Sequence, residues 1–136
     1  MESVLKQYST SSLSHLETAD PALQEVFAHA LQIVDHSILE GFRGQERQDE
    51  LHASGRTKKL YPESKHNSIP SNAVDAVPYP IDWSDTKRMA YFAGVVIGIG
   101  KMKGVDIRWG GDWDRDGQLK DNSFNDLVHF ELVEKQ

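Results

Sequence analysis

Ser84-Asp85-Thr86-Lys87-Arg88-Met89-Ala90-Tyr91-Phe92-Ala93-Gly94-Val95-Val96-Ile97-Gly98-Ile99-Gly100-Lys101-Met102-Lys103 is the stretch around which the rest of the chain arranges itself. It holds no proline, and between residues 89 and 99 it is apolar nearly all round, which predicts a central helix over 84–103. The apolar run is far short of the roughly 20 residues a membrane span needs. Gly94 and Gly98 therefore read as points of close packing against a neighbour. Short runs of strand character lie on both sides of this helix. Residues 105–109 and 127–133 follow it, and residues 37–43 and 73–77 precede it, the latter stopped by Pro78 and Pro80.

Further upstream, Asp20-Pro21 is a helix N-cap followed by proline at the first helical position. Leu23, Val26, Phe27, Ala30, Leu31 and Val34 then recur at helical spacing, predicting a helix over 21–35 with one buried stripe. Residues 3–16 form a weaker helical segment, read as broken by Ser9-Thr10-Ser11-Ser12. Residues 44–54 are polar and helix-prone, with Gly55 as the C-cap, and 56–72 carry loop residues. This order implies an α+β fold, a small, mostly antiparallel sheet with helices packed on one side.

The 136 residues fit a single domain spanning 1–136. With 15 Lys and Arg against 21 Asp and Glu, the net charge of −6 disfavours a nucleic-acid binder, which needs a basic face to neutralise phosphates. Arg56-Thr57-Lys58-Lys59 is a local exception. There is no cysteine, so disulfides and thiolate-held metals are excluded. The N-terminus shows no basic segment followed by an apolar core, so no secretory signal is expected, nor insertion into a membrane, and the chain should fold in the cytoplasm.

Chemistry gathers on His66, Asp75 and His129. Two imidazoles and a carboxylate make a three-ligand zinc set that leaves the fourth position open, the pattern of a catalytic site. His129 and Asp75 fall on predicted strands and His66 on a loop, which places a zinc cleft on the sheet. A lone histidine beside a strand is more often a hydrogen-bonded polar residue than a ligand. Asp75 differs: it stands between Ala73-Val74 and Ala76-Val77, and a carboxylate in an apolar strand is costly unless paired or metal-bound. Asp126, three residues before His129, could take a proton from a water there. Arg43 could polarise a carbonyl and hold the developing oxyanion. The remaining histidines, 15, 29, 36 and 52, have no ligand-like setting.

These residues also carry a family resemblance. Ser64-Lys65-His66, Ala73-Val74-Asp75 and Asp126-Leu127-Val128-His129 resemble the M15 zinc peptidases, whose pattern is Ser-x-His, Ala-x-Asp and Asp-or-Glu-x-x-His. The resemblance implies His66, Asp75 and His129 as zinc ligands and Asp126 as the catalytic base. Glu40-Gly41-Phe42-Arg43 is similar to the family's upstream arginine segment, which gives Arg43 the carbonyl-polarising role. The aspartate base, Pro78-Tyr79-Pro80-Ile81-Asp82-Trp83 and Arg108-Trp109-Gly110-Gly111-Asp112-Trp113 resemble the phage endolysin branch.

That branch implies an L-alanyl-D-glutamate endopeptidase acting on bacterial peptidoglycan. It would be a monomer held in the host cytoplasm until lysis. Within the same chemistry a D-alanyl-D-alanine carboxypeptidase stays open. From another class, so does a non-catalytic wall-binding or phage structural module. The chain departs from the family in one respect: eight residues, without glycine, separate His66 from Asp75 where six are usual.

Asp112, Asp114 and Asp116, with Gly117, alternate like a calcium loop, though Ser123 stands where a bidentate glutamate is expected. A solvated acidic turn is the simpler reading. Glu131 shares a strand face with His129 by the period of two and could compete with Asp126 as base, but the resemblance places the base at 126 and leaves Glu131 a supporting role. Trp83, Trp109 and Trp113 are candidates to line a cleft for a stem peptide.

Overall fold

The computed structural model describes residues 5–118 and 126–133. Its elements run α1 (Thr10–Leu16), α2 (Pro21–Leu31), β1 (His36–Glu40), α3 (Gln45–Ala53), a 3-10 turn (Lys65–Asn67), β2 (Ala73–Pro78), α4 (Thr86–Met102), β3 (Ile107–Gly110) and β4 (Asp126–Leu132). The four strands form one sheet in the order β1-β2-β4-β3, every neighbouring pair antiparallel. The expected α+β architecture is the one observed.

Helices α2 and α4 cover one face. Leu23, Val26 and Phe27 of α2 and Phe92, Ala93 and Val96 of α4 meet Val74, Ala76, Ile107, Trp109 and Phe130 of the sheet in one core. Phe130 is the hinge of this packing, its ring edge-on to Phe27 at 5.4 Å and to Phe92 at 5.7 Å between centroids. Burying each such ring contributes roughly 1.5–3 kcal/mol. Strand pleating then sends the alternate residues to the opposite face. Asp75, His129, Glu131 and Arg108 alternate with these core residues, so one parity rule delivers all four to the site.

Three local expectations are corrected. The Ser9-Thr10-Ser11-Ser12 run starts a helix: Ser9 Oγ caps α1 by accepting from Ser12 N at 3.2 Å. Helix α4 is not buried all round, because Tyr91 and Met102 are 63% and 88% exposed. Gly94 and Gly98 lie on that exposed face, and a Cβ added at either would have nothing within 4 Å. The close approach is at Gly100 instead, where a Cβ would stand 2.6 Å from the Val105 carbonyl oxygen. That contact lets the chain turn directly from α4 into β3. Among the described residues no helix is long and apolar enough to cross a membrane.

Candidate metal centre

Strands β2 and β4 are neighbours, and their register sets Asp75 opposite His129. Directly opposed residues share a face, so the carboxylate and the imidazole meet without any loop having to position them. His66 arrives from the 3-10 turn, which is tightly fastened. Ser64 Oγ accepts from His66 N at 3.2 Å, and Asn67 Oδ1 accepts from Ser64 N at 3.0 Å, a capping box. Asn67 Nδ2 also donates to the Arg43 carbonyl at 2.9 Å. The long segment between His66 and Asp75 closes on itself, with Asn72 N donating to the Lys65 carbonyl at 2.9 Å.

His66 Nε2 lies 3.1 Å from Asp75 Oδ1, and His129 Nδ1 lies 3.4 Å from the same oxygen. One ligand atom from each of the three residues falls within 4.8 Å of the other two, so the group could hold a metal ion. The remaining ring nitrogens are already assigned. His66 Nδ1 donates to the Gly41 carbonyl at 2.7 Å, and His129 Nε2 donates to Glu131 Oε1 at 2.8 Å. Each outer hydrogen bond fixes one ring proton and turns the inner nitrogen toward Asp75, where it donates to the carboxylate when protonated and would offer a lone pair to a metal when not. Gly41 can do this only as glycine: a Cβ there would stand 2.3 Å from the His15 carbonyl oxygen and from Thr18 Oγ1.

The electrostatics follow from these contacts. Burial alone would raise the Asp75 carboxyl, but hydrogen bonds from His129 and His66, and their charge, hold it well below the usual carboxylate range. For His129, burial opposes the charged form; hydrogen bonds to Asp75 and Glu131 overcome it and push the imidazole up to about 9. Glu131 sits below its ordinary range: burial would raise it, but the bond from His129 and the charges of His129, Lys65 and Arg108 prevail. Asp126 moves the other way. Burial first and the Asp75 charge second raise its carboxyl, with His129 and His66 pulling partly back. A carboxyl raised above its ordinary range beside a candidate metal group suits proton transfer.

All four groups open into one cleft of about 860 Å³ whose wall includes Arg43, Arg47 and Leu51 from β1's exit and α3, and Trp83 and Trp113. The Trp113 ring lies 5.5 Å from that of His129. Trp109 belongs elsewhere: it is buried in the core, and its Nε1 donates to the Leu127 carbonyl at 2.9 Å. Arg43 is buried and fully engaged. Its Nε and Nη2 donate to Glu40 Oε1 at 3.0 and 2.6 Å, its Nη1 donates to Gln48 Oε1 at 3.1 Å, and Nη2 stands 3.6 Å from Asp75 Oδ2. The guanidinium thus lies beside the carboxylate of the candidate metal group.

Asp112, Asp114 and Asp116 do cluster, with one oxygen from each within 4.8 Å of the others. Their oxygens serve the turn itself: Asp112 Oδ2 accepts from Gly117 N and Asp116 Oδ1 from Gln118 N, both at 2.8 Å. Nothing beyond the cluster points to calcium, and Ser123 lies outside the described residues. Several functional neighbours had little local signal in the sequence. Gln48, which holds Arg43, sits in a polar helix, and Arg108 reveals itself only through its register opposite Glu131.

Comparison with known proteins agrees with this geometry. The family model described as phage L-alanyl-D-glutamate peptidase matches residues 4–133. The L-alanyl-D-glutamate peptidase of Escherichia phage T5 is 31% identical over 135 residues, covering 93% of this chain and 98% of that protein. The peptidoglycan L-alanyl-D-glutamate endopeptidase CwlK of Bacillus subtilis is 35% identical over 115 residues, covering 74% of this chain and 62% of its own length. Among solved structures, the Serratia marcescens L-Ala D-Glu endopeptidase ChiX superposes with a TM-score of 0.77 at 28% identity, over 95% of this chain and 91% of that one.

Proposed function

The chain belongs to the family of phage L-alanyl-D-glutamate peptidases, and from that membership we propose how its cleft hydrolyses murein. It is a peptidoglycan endopeptidase that cuts the L-alanyl-D-glutamate bond. The observation that carries the mechanism is the convergence of His66, Asp75 and His129 in the cleft that Asp126 also lines.

The metal we assign is zinc, held by His66 Nε2, Asp75 Oδ1 and His129 Nδ1. Two nitrogens and one oxygen are a zinc donor set and a poor match to the all-oxygen demand of calcium or magnesium. The spacing supports this. The two histidine nitrogens stand 3.1 and 3.4 Å from Asp75 Oδ1, close enough that one small ion would be reached by all three. Bound there, Zn²⁺ supplies Lewis acidity that favours attack of water on the scissile carbonyl at neutral pH.

The protein groups do the rest. Asp126 takes a proton from the attacking water and delivers it to the departing glutamyl nitrogen. Glu131 keeps His129 in the tautomer that ligates. Arg43 holds Asp75 in place and adds positive charge near the developing oxyanion. One core shared by the helices and the sheet supports the reading of a single catalytic domain over 1–136; that it acts as a monomer is part of the proposal. Residence in the host cytoplasm until lysis is part of the proposal, and a phage-encoded relative suits a role in lysis.

The test is digestion of purified murein with and without a chelator, the products identified by mass. New L-alanine carboxyl termini and D-glutamate amino termini, both lost on chelation and restored by zinc, are expected. Release of a single terminal alanine would reassign the enzyme as a carboxypeptidase. Binding without hydrolysis would leave a wall-binding module.

The proton on His129 predicts how zinc uptake varies with pH. With its imidazole pushed up to about 9 in the metal-free protein, His129 adds stability that is complete below the unfolded value near 6.5 and is lost as pH rises through 9. Zinc must displace that proton, so affinity should rise about tenfold per pH unit up to pH 9 and then level off. Thermal unfolding with and without zinc should therefore show the smallest metal-induced shift at pH 6 and the largest near pH 9. A shift independent of pH would remove His129 from the ligand set.

A further inference from the structure

Resting on the endopeptidase reading, we infer that Arg108 is the residue that selects the substrate's D-glutamate, by binding its free carboxylate. Arg108 lies in β3, opposite Glu131 in the register, between the core residues Ile107 and Trp109. Its side chain leaves the sheet on the site face and lines the cleft. Arg108 Nη1 is 3.7 Å from Glu131 Oε2, an ion-pair distance too long for a hydrogen bond. Glu131 Oε1 in turn accepts from His129 at 2.8 Å. Arg108 therefore stands one carboxylate away from a metal ligand.

Its donors are not used up by the protein. Among the described residues, Arg108 Nε is the one buried side-chain polar atom without a hydrogen-bond partner. A buried, unmatched guanidinium donor is costly unless something else fills it. The other cations near the metal are committed: each nitrogen of Arg43 has a partner, and Lys65 Nζ donates to the Leu132 carbonyl at 2.8 Å. The field of the cleft points the same way. Seven basic and four acidic side chains line it, in a chain whose net charge is −6. Three of those acids, Asp75, Asp126 and Glu131, belong to the metal centre, and Glu40 is paired with Arg43. A cationic surplus beside a neutral substrate would serve nothing.

The substrate supplies the anion. In an L-alanyl-D-glutamyl peptide, the glutamyl residue donates its nitrogen to the scissile bond and one carboxyl to the continuing chain. Its other carboxyl stays free and charged at neutral pH, a few bonds from the nitrogen that departs. A guanidinium fork matches a carboxylate in charge and geometry. A guanidinium whose Nε is buried and whose outer nitrogens face the cleft disfavours a neutral analogue, which leaves the charge unmatched.

The experiment uses the full zinc-loaded chain and two stem peptides, identical except that the free glutamyl carboxylate of one is amidated. Wild type should cleave the acid with a KM roughly 10- to 100-fold below that of the amide. Arg108→Gln should raise KM on the acid by a similar factor and leave the amide within about twofold, with kcat little changed, so the preference collapses. Arg108→Lys, which keeps the charge without the fork, should fall between. Calorimetry with the L-alanyl-D-glutamate dipeptide should show weaker binding to both variants at unchanged zinc content. An equal loss on both peptides, or a preference that survives in both variants, overturns the assignment of Arg108. A wild type that cleaves neither peptide overturns the endopeptidase reading itself.

Discussion

Asp126→Asn is expected to lower kcat by roughly 10²- to 10⁴-fold while zinc content and thermal stability stay near those of wild type. The substitution keeps the shape of the side chain and removes only its ability to exchange a proton. Two properties of the site support the proposal of Asp126 as the base. It lines the cleft beside the metal ligands without being one, and its carboxyl is raised by burial and by the Asp75 charge. Glu131, the other carboxylate near His129, is unsuited. Its carboxyl sits below the ordinary range and its Oε1 is occupied by His129 Nε2 at 2.8 Å. A base that is both tied up and weakly basic cannot relay a proton. Steady-state hydrolysis of a stem peptide, with zinc measured on the same samples, checks the expectation. Full activity in Asp126→Asn would move the base elsewhere.

Asp75→Asn should do wider damage, because Asp75 serves the metal and the fold together. Its Oδ1 meets both histidines and its Oδ2 faces Arg43 at 3.6 Å. Take away its charge and the proposed zinc site loses its one anionic ligand. The metal-free protein also loses the counter-charge to His129 and Arg43, both buried. Removing one partner from a buried charge network costs about 3–5 kcal/mol. Activity should vanish, zinc should no longer bind tightly, and the chelated variant should melt well below chelated wild type. A variant that melts with wild type and still binds zinc would show that this carboxylate neither ligates nor supports.

The strand carrying Asp75 was legible as an apolar run stopped by Pro78 and Pro80, and the one carrying His129 by its period-two alternation of apolar and polar residues. α4 was legible in extent but not in orientation. Its apolar run hides which side faces the sheet, and Gly94 and Gly98 turned out to face solvent while Gly100 made the close contact. The serines at 9–12 were misread because a capping serine and a helix-breaking serine are the same residue; only the backbone after it distinguishes them. Trp109 and Trp113, four residues apart, look equivalent in the chain. Strand parity sends Trp109 into the core, and Trp113, beyond the strand end, lies against His129.

By itself the chain determined the α+β class and pointed to three candidate donor side chains and to the aspartate set three residues ahead of the last of them. Those are matters of residue type and local spacing, which covalent order preserves. Tertiary structure alone decided that Asp75 Oδ1 sits between two imidazoles, that Gly41 and Glu131 choose their tautomers, and that Arg108 keeps an unmatched donor in the cleft. These depend on the β2-β4-β3 register and on the turn that carries His66. Hydrogen bonds act over about 3 Å, and only the folded sheet brings residues so far apart in the chain within that reach.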